Sequence, residues 1–152
     1  MIEGVAIKKL VSHVDERGFF QELIRNTDDF FREGFGQLSY SFVHHGIIKA
    51  WHAHKFQSQW TCIIKGSAKV ALHDLRADSK THGNTIELMA GENHPAIAYK
   101  FPPGVAHGYQ CIHGPMMVLY ITSGTYDIND EVRIAHDDTS IGYDWVKGYA
   151  IK

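Results

Sequence analysis

The chain has 152 residues, a formal net charge of -2 and 44% hydrophobic residues. That length suits one domain over residues 1–152, with a core large enough to need no disulfide or metal staple. The near-neutral charge, without any run of Lys or Arg, argues against nucleic-acid binding through phosphate neutralisation.

The N-terminus, Met1-Ile2-Glu3-Gly4-Val5, lacks the basic and then apolar segments of a signal peptide. No apolar run reaches the ~18 residues of a membrane helix. A cytoplasmic location is the expectation. Cys62 and Cys111 sit in apolar stretches and read as buried free thiols. The 11 histidines invite a search for acid–base or metal chemistry. His13, His73, His94 and His136 read as solvated surface residues.

Taken in chain order, the expected strands are 5–11, 19–25, 37–43, 46–52, 59–64, 67–74, 85–89, 96–101, 107–112 and 116–122. Several alternate in period two, as in Lys69-Val70-Ala71-Leu72-His73. Trp60-Thr61-Cys62-Ile63-Ile64 has the aromatic and β-branched content of a buried strand. One short helix is expected at 28–33. Thr27 can cap it, Asp28 and Asp29 suit its dipole, and Gly34 ends it. Many short strands with one or two short helices describe an all-β sandwich or barrel of the jelly-roll kind.

The most specific local pattern starts at Gly46. It continues with His52-Ala53-His54, Gln59 and Gly66. A second pattern reads Pro102-Pro103-Gly104-Val105-Ala106-His107. Together they resemble the two signature segments of the cupin superfamily, G-x5-H-x-H-x4-[acid]-x6-G and P-x-G-x2-H. The resemblance implies a cupin-type jelly-roll barrel. Residues i and i+2 of a strand share a face, so His52 and His54 point the same way. His107 would arrive from across the barrel. Three imidazoles in one cavity could hold Fe, Mn, Ni or Zn, as in a metal-dependent dioxygenase or small-molecule isomerase. Gln59 stands where such sites carry an acid and supplies a neutral ligand instead.

Further segments carry a closer resemblance. They are Asp15-Glu16-Arg17-Gly18-Phe19-Phe20-Gln21-Glu22, Phe35-Gly36-Gln37, Asp74-Leu75-Arg76, Ala106-His107-Gly108, Leu119-Tyr120, Tyr126 and Ile141-Gly142-Tyr143-Asp144-Trp145. In this order they resemble the dTDP-4-dehydrorhamnose 3,5-epimerases, a family of metal-independent cupins. The short Lys49-Ala50-Trp51-His52 form is more similar to the spore-coat-polysaccharide branch. The resemblance implies a substrate that is a nucleotide-linked 4-keto-6-deoxy sugar, and no cofactor. It implies proton removal and return through an enolate, at C3, C5 or both.

By the same resemblance His52 is the base and Tyr120 the acid. Arg17 and Glu22 contact the nucleotide and its diphosphate, often from a partner subunit. Phe20 and Tyr126 pack at the nucleotide. Gln37 and His107 line the ligand site. Lys49 stands for a phosphate-binding arginine. His54 and Gln59 complete the substrate-binding set. Two differences stand out. The family has an enolate-stabilising lysine where this chain has Gln59. Its base-orienting carboxylate lies beyond the tryptophan, which leaves Asp74, His54 and Asp144 as candidates here.

A shorter resemblance, His52-Ala53-His54-Lys55 with Gln59, Cys62 and Gly66-Ser67, is to sugar-nucleotide 3,4-ketoisomerases. Other readings are the metal-dependent cupin and a non-catalytic sugar-nucleotide binder. The family resemblance also implies a homodimer, because an open barrel edge invites pairing.

Overall fold

The computed structural model describes residues 1–147. The 14 glycines break the chain into extended runs joined by turns. Among the described residues there are ten strands and no helix. In chain order they are β1 (Ala6–Lys9), β2 (Ser12–Asp15), β3 (Gly18–Gln21), β4 (Gln37–Val43), β5 (Ile48–His54), β6 (Gln59–Asp74), β7 (Thr85–Gly91), β8 (Ile97–Phe101), β9 (Val105–Thr122) and β10 (Glu131–Arg133). Eight of them form one antiparallel sheet around the β6–β9 pair. Its path runs β1-β8-β6-β9-β5-β10, with β4 on β9 and β7 on β6. The other two, β2 and β3, make a separate hairpin. The fold is the all-β cupin-type barrel.

The sequence pattern divides 59–74 and 105–122 into two strands each, yet each is continuous. The apparent breaks at Gly66 and Gly114-Pro115 are bends inside a ladder that keeps pairing from Gln59↔Thr122 to Asp74↔Val105. Register shifts between Ile63 and Ala68 take up the bend. Gly66 adopts φ +70°, and a Cβ there would meet the His113 carbonyl at 2.5 Å, so only glycine passes.

The expected helix at 28–33 is absent. Phe31 N–H donates to the Asp28 carbonyl at 2.8 Å, which closes a single turn. Six residues form too short a helix to persist without tertiary help, and here the tertiary contacts act against it. Trp60 Nε1 donates to the Phe30 carbonyl at 2.7 Å. The Phe31 ring packs edge-on against Trp60 at 4.6 Å. Asp28 is drawn to Lys8 Nζ, 2.6 Å away.

Inward-facing residues of the long strands form the main core, including Val70, Leu72, Tyr99, Phe101, Val105 and Val118. A second cluster lies outside the barrel, where Trp51, Ala53, Ala71 and Ala106 pack under Trp145. Cys62 and Cys111 are both buried and unbridged. His73 corrects the surface reading, because it is buried and its Nδ1 lies 2.7 Å from Thr85 Oγ1. The wider Asp74 neighbourhood is structural. Its carboxylate, held far below the usual range first by Arg76, accepts from Arg76, Ser79 Oγ and Thr81 Oγ1.

Candidate active site

The site is built from the strands that bend most. On β5, alternation sends Trp51 and Ala53 to the outer cluster and turns His52 and His54 to the opposite face. A bulge between Lys49 and His52 shifts the register, so Lys49, an odd number of residues away, shares that face. On β9, His107 and Tyr109 stand two apart near one end, and Tyr120 and Thr122 near the other. Eleven residues of straight strand would span about 36 Å. Instead, β9 bends until the hydroxyls of Tyr109 and Tyr120 lie 2.7 Å apart.

These side chains line one cavity of about 400 Å³. It holds eight residues expected from sequence: Gln37, Lys49, His52, His54, Gln59, His107, Tyr120 and Tyr126. The base and acid candidates therefore share a compartment, and no core side chain fills it. Gln37 closes the rim, where its Oε1 accepts from Tyr126 N–H at 3.0 Å.

Each histidine has a distinct environment. His52 Nδ1 lies 3.2 Å from Glu131 Oε1. Arg133 donates to the other oxygen of Glu131 at 3.0 Å. The Arg133 contact, helped by His52, holds the Glu131 carboxyl below its ordinary range despite partial burial. His54 Nδ1 lies 2.9 Å from Asp130 Oδ2, and its Nε2 lies 3.2 Å from Gln59 Oε1. Burial pushes Asp130 up. The Phe56 N–H and His54 outweigh it, and the carboxyl ends below its usual range. His107 stacks on Phe101 at 4.2 Å. Burial, and then the neighbouring His54 and His52, push its pKa well below the usual imidazole value. It is a neutral wall rather than a charge carrier.

Gln59 Nε2 donates to Thr61 Oγ1 at 3.0 Å, so the amide is held from both ends. His54 Nε2 faces Gln59 Oε1 rather than an open position, and among the described residues no group of three His, Cys, Asp or Glu is arranged to hold an ion.

Arg17, Phe20 and Glu22 do not join the cavity. Arg17 is exposed at the hairpin turn and pairs with Asp15. Glu22 pairs with Arg25, and Phe20 is 64% exposed. The candidates for orienting the base also lie elsewhere. Asp74 is tied to Arg76, Asp144 caps the amides of Val146 and Lys147, and His54 has its own carboxylate. The residue beside His52 is Glu131, which sequence reasoning missed. Its only local signal is the turn-rich run Asp127-Ile128-Asn129-Asp130 before it. Tyr109 was missed too, although it follows the Ala106-His107-Gly108 segment directly.

The family model described as dTDP-4-dehydrorhamnose 3,5-epimerase matches residues 1–152. The chain belongs to that family. It is 45% identical over 148 residues to the spore coat polysaccharide biosynthesis protein SpsL of Bacillus subtilis, covering 95% of this chain and 97% of that one. It is 30% identical to the "Probable low-salt glycan biosynthesis epimerase Agl13" of Haloferax volcanii, over 95% and 94% of the two chains. A dTDP sugar isomerase structure from Desulfovibrio desulfuricans superposes with a TM-score of 0.90 at 24% identity, over 96% of this chain and 93% of that one. That last likeness confirms the fold. Family membership places the chain with epimerases, an isomerase class, rather than with metal-dependent cupins or ketoisomerases.

Proposed function

We propose that this protein is an epimerase of a nucleotide-linked 4-keto-6-deoxy sugar, with His52 as base and Tyr120 as acid. The supporting observation is one cavity lined by both groups, with Glu131 on the Nδ1 side of His52 and a second phenol behind Tyr120.

The chemistry follows from these neighbours. Glu131 accepts the Nδ1 proton and leaves Nε2 of His52 as the basic nitrogen. Nε2 removes the proton on carbon beside the ketone. The C–H electrons move to the carbonyl oxygen, giving an enolate. Tyr120 returns a proton to the opposite face as the ketone reforms, which inverts the centre. His52 is left as imidazolium and Tyr120 as tyrosinate until solvent resets them. The Glu131 charge stabilises that imidazolium. The second N–H of Gln59 Nε2, the one not given to Thr61, is the donor for the enolate oxygen at the place where the family carries a lysine, with His54 and Asp130 holding the amide in place. Lys49 attracts the diphosphate as a point charge, without the fork of an arginine.

Arg17, Phe20 and Glu22 reach the nucleotide of a second copy. The hairpin presents Val14, Phe19 and Phe20 at 76%, 69% and 64% exposure, which is costly for a lone chain in water and natural for an arm that docks. The outer face of β4 offers a matching stripe in Leu38, Tyr40 and Phe42. A single catalytic domain per chain, a homodimer and a cytoplasmic location complete the reading.

Incubation with a dTDP-linked 4-keto-6-deoxyhexose in D2O tests it. Deuterium at C3 or C5 with inversion is the expected result, and its position shows which centres turn over. A ketone moved to C3 identifies ketoisomerisation instead. Absence of exchange with any nucleotide-linked keto sugar refutes the assignment.

A further inference from the structure

We infer that Tyr109 is a positioning residue for the acid half of the reaction: its hydroxyl holds the oxygen of Tyr120 and stabilises the tyrosinate left when that proton goes to carbon. The inference rests on the epimerase reading above and deepens it.

Three observations carry it. The two hydroxyl oxygens are 2.7 Å apart, a full-strength O–H···O bond. Both phenols line the cavity, but Tyr109 is buried at 7% exposure whereas Tyr120 is half-buried, so Tyr120 is the more open of the two to a ligand. Tyr109 also sits beside the bulge of β5, its Cα opposite Lys49 on one side and Val70 of β6 on the other, which holds its backbone between two strands. The chemistry then decides the direction of the bond. Once the Tyr120 proton is on carbon, Tyr109 is the partner that still carries a proton, and it must donate.

The local balance of charge agrees. Burial raises both phenols, so a tyrosinate formed here is expensive. Ser41 opposes that cost at both, but the bond between the phenols acts in opposite senses, lowering Tyr120 and raising Tyr109. Tyr109 thus keeps its proton while its neighbour surrenders one. The other groups that act on the pair are Tyr99 and Ser41.

The step has a distinctive readout. After His52 removes a proton, two fates compete. Tyr120 protonates the far face and inverts the centre. Otherwise His52, exchanged with solvent, returns a deuteron to the near face and leaves configuration unchanged. Weakening Tyr120 alone raises deuterium in recovered, uninverted substrate relative to inverted product.

Tyr109→Phe deletes only the hydroxyl. With a dTDP-linked 4-keto-6-deoxyhexose in D2O, the ratio of uninverted to inverted label in the first turnovers should rise about tenfold or more, the factor that a hydrogen bond to an anion supplies. KM should stay unchanged. Ser41→Ala should move the ratio the same way by less, and it carries the test if Tyr109→Phe does not fold by circular dichroism. An unchanged ratio with exchange intact overturns the inference and leaves the epimerase reading standing. An equal fall in exchange and inversion also overturns it, because it signals general loss of structure. No exchange in the unmodified protein removes the epimerase reading itself.

Discussion

The barrel cavity and the β2–β3 hairpin contrast in how they hold functional residues. In the cavity, each side chain is clamped by a neighbour that the fold brings to it: His52 by Glu131, His54 by Asp130 and Gln59, and Tyr120 by Tyr109 from the far part of the same bent strand. The hairpin's four-residue strands pair only with each other, and its ion pairs join close neighbours in sequence, Asp15 with Arg17 and Glu22 with Arg25. Such exposed pairs contribute about 0–1 kcal/mol. The cavity is pre-organised by the fold. The hairpin has reach and apolar surface, and among the described residues its strands pair with no other strand.

That contrast can be broken at several points. The largest effect belongs to the cavity. His52→Ala should lower deuterium exchange into substrate by about 10⁴-fold, and Glu131→Gln, which keeps the shape and loses the charge, by about 10²-fold. Both should leave the hairpin's contribution to KM intact, read as kcat against KM. If Glu131→Gln loses nothing, His52 has no need of its partner and the clamping argument fails.

A smaller effect is expected from the hairpin. Arg17→Ala should raise KM about tenfold, the worth of one charge-assisted hydrogen bond to phosphate, with kcat preserved. Mixing it with the inactive His52→Ala chain sharpens the comparison. If arms serve the partner's barrel, mixed dimers contain one intact site and regain low-KM activity. If each arm serves its own barrel, mixing restores nothing.

The smallest effect is on stability. The folded-state pKa of His107 lies well below the ordinary imidazole value, so below about pH 6.5 the unfolded chain binds a proton that the folded one refuses. The His107 contribution is fully present above that pH. It is lost as pH falls from there toward the folded pKa, by at most about 1.4 kcal/mol per pH unit. Urea titrations across this range should show the slope, and His107→Gln should flatten it. A hairpin substitution such as Phe19→Ser should leave the slope unchanged.

Much of the barrel was legible before any coordinates. Strand 37–43 matches residue for residue, because its alternation is clean. The hairpin's first strand escaped notice because all four of its residues are exposed and no buried face marks a period. The short helix was wrongly expected because Asp28 and Thr27 look like caps, whereas Trp60, thirty residues on, claims the Phe30 carbonyl. Eight residues that line the cavity were legible from the family resemblance, and Glu131 was not. No spacing rule links β10 to β5, since their pairing depends on how the chain returns across the barrel.

The sequence by itself determined the extended architecture, the shared face of His52 and His54, and the family to which those spacings belong. These depend on local geometry, the two-residue period of a strand and the turns that interrupt it. Tertiary structure alone decided which carboxylate meets which imidazole, that Lys49 joins their face, and that Tyr109 touches Tyr120. Those contacts depend on a bulge in β5, on bends in β6 and β9, and on the docking of β10. Each is set by packing between segments far apart in the chain, and no local pattern of residues encodes it.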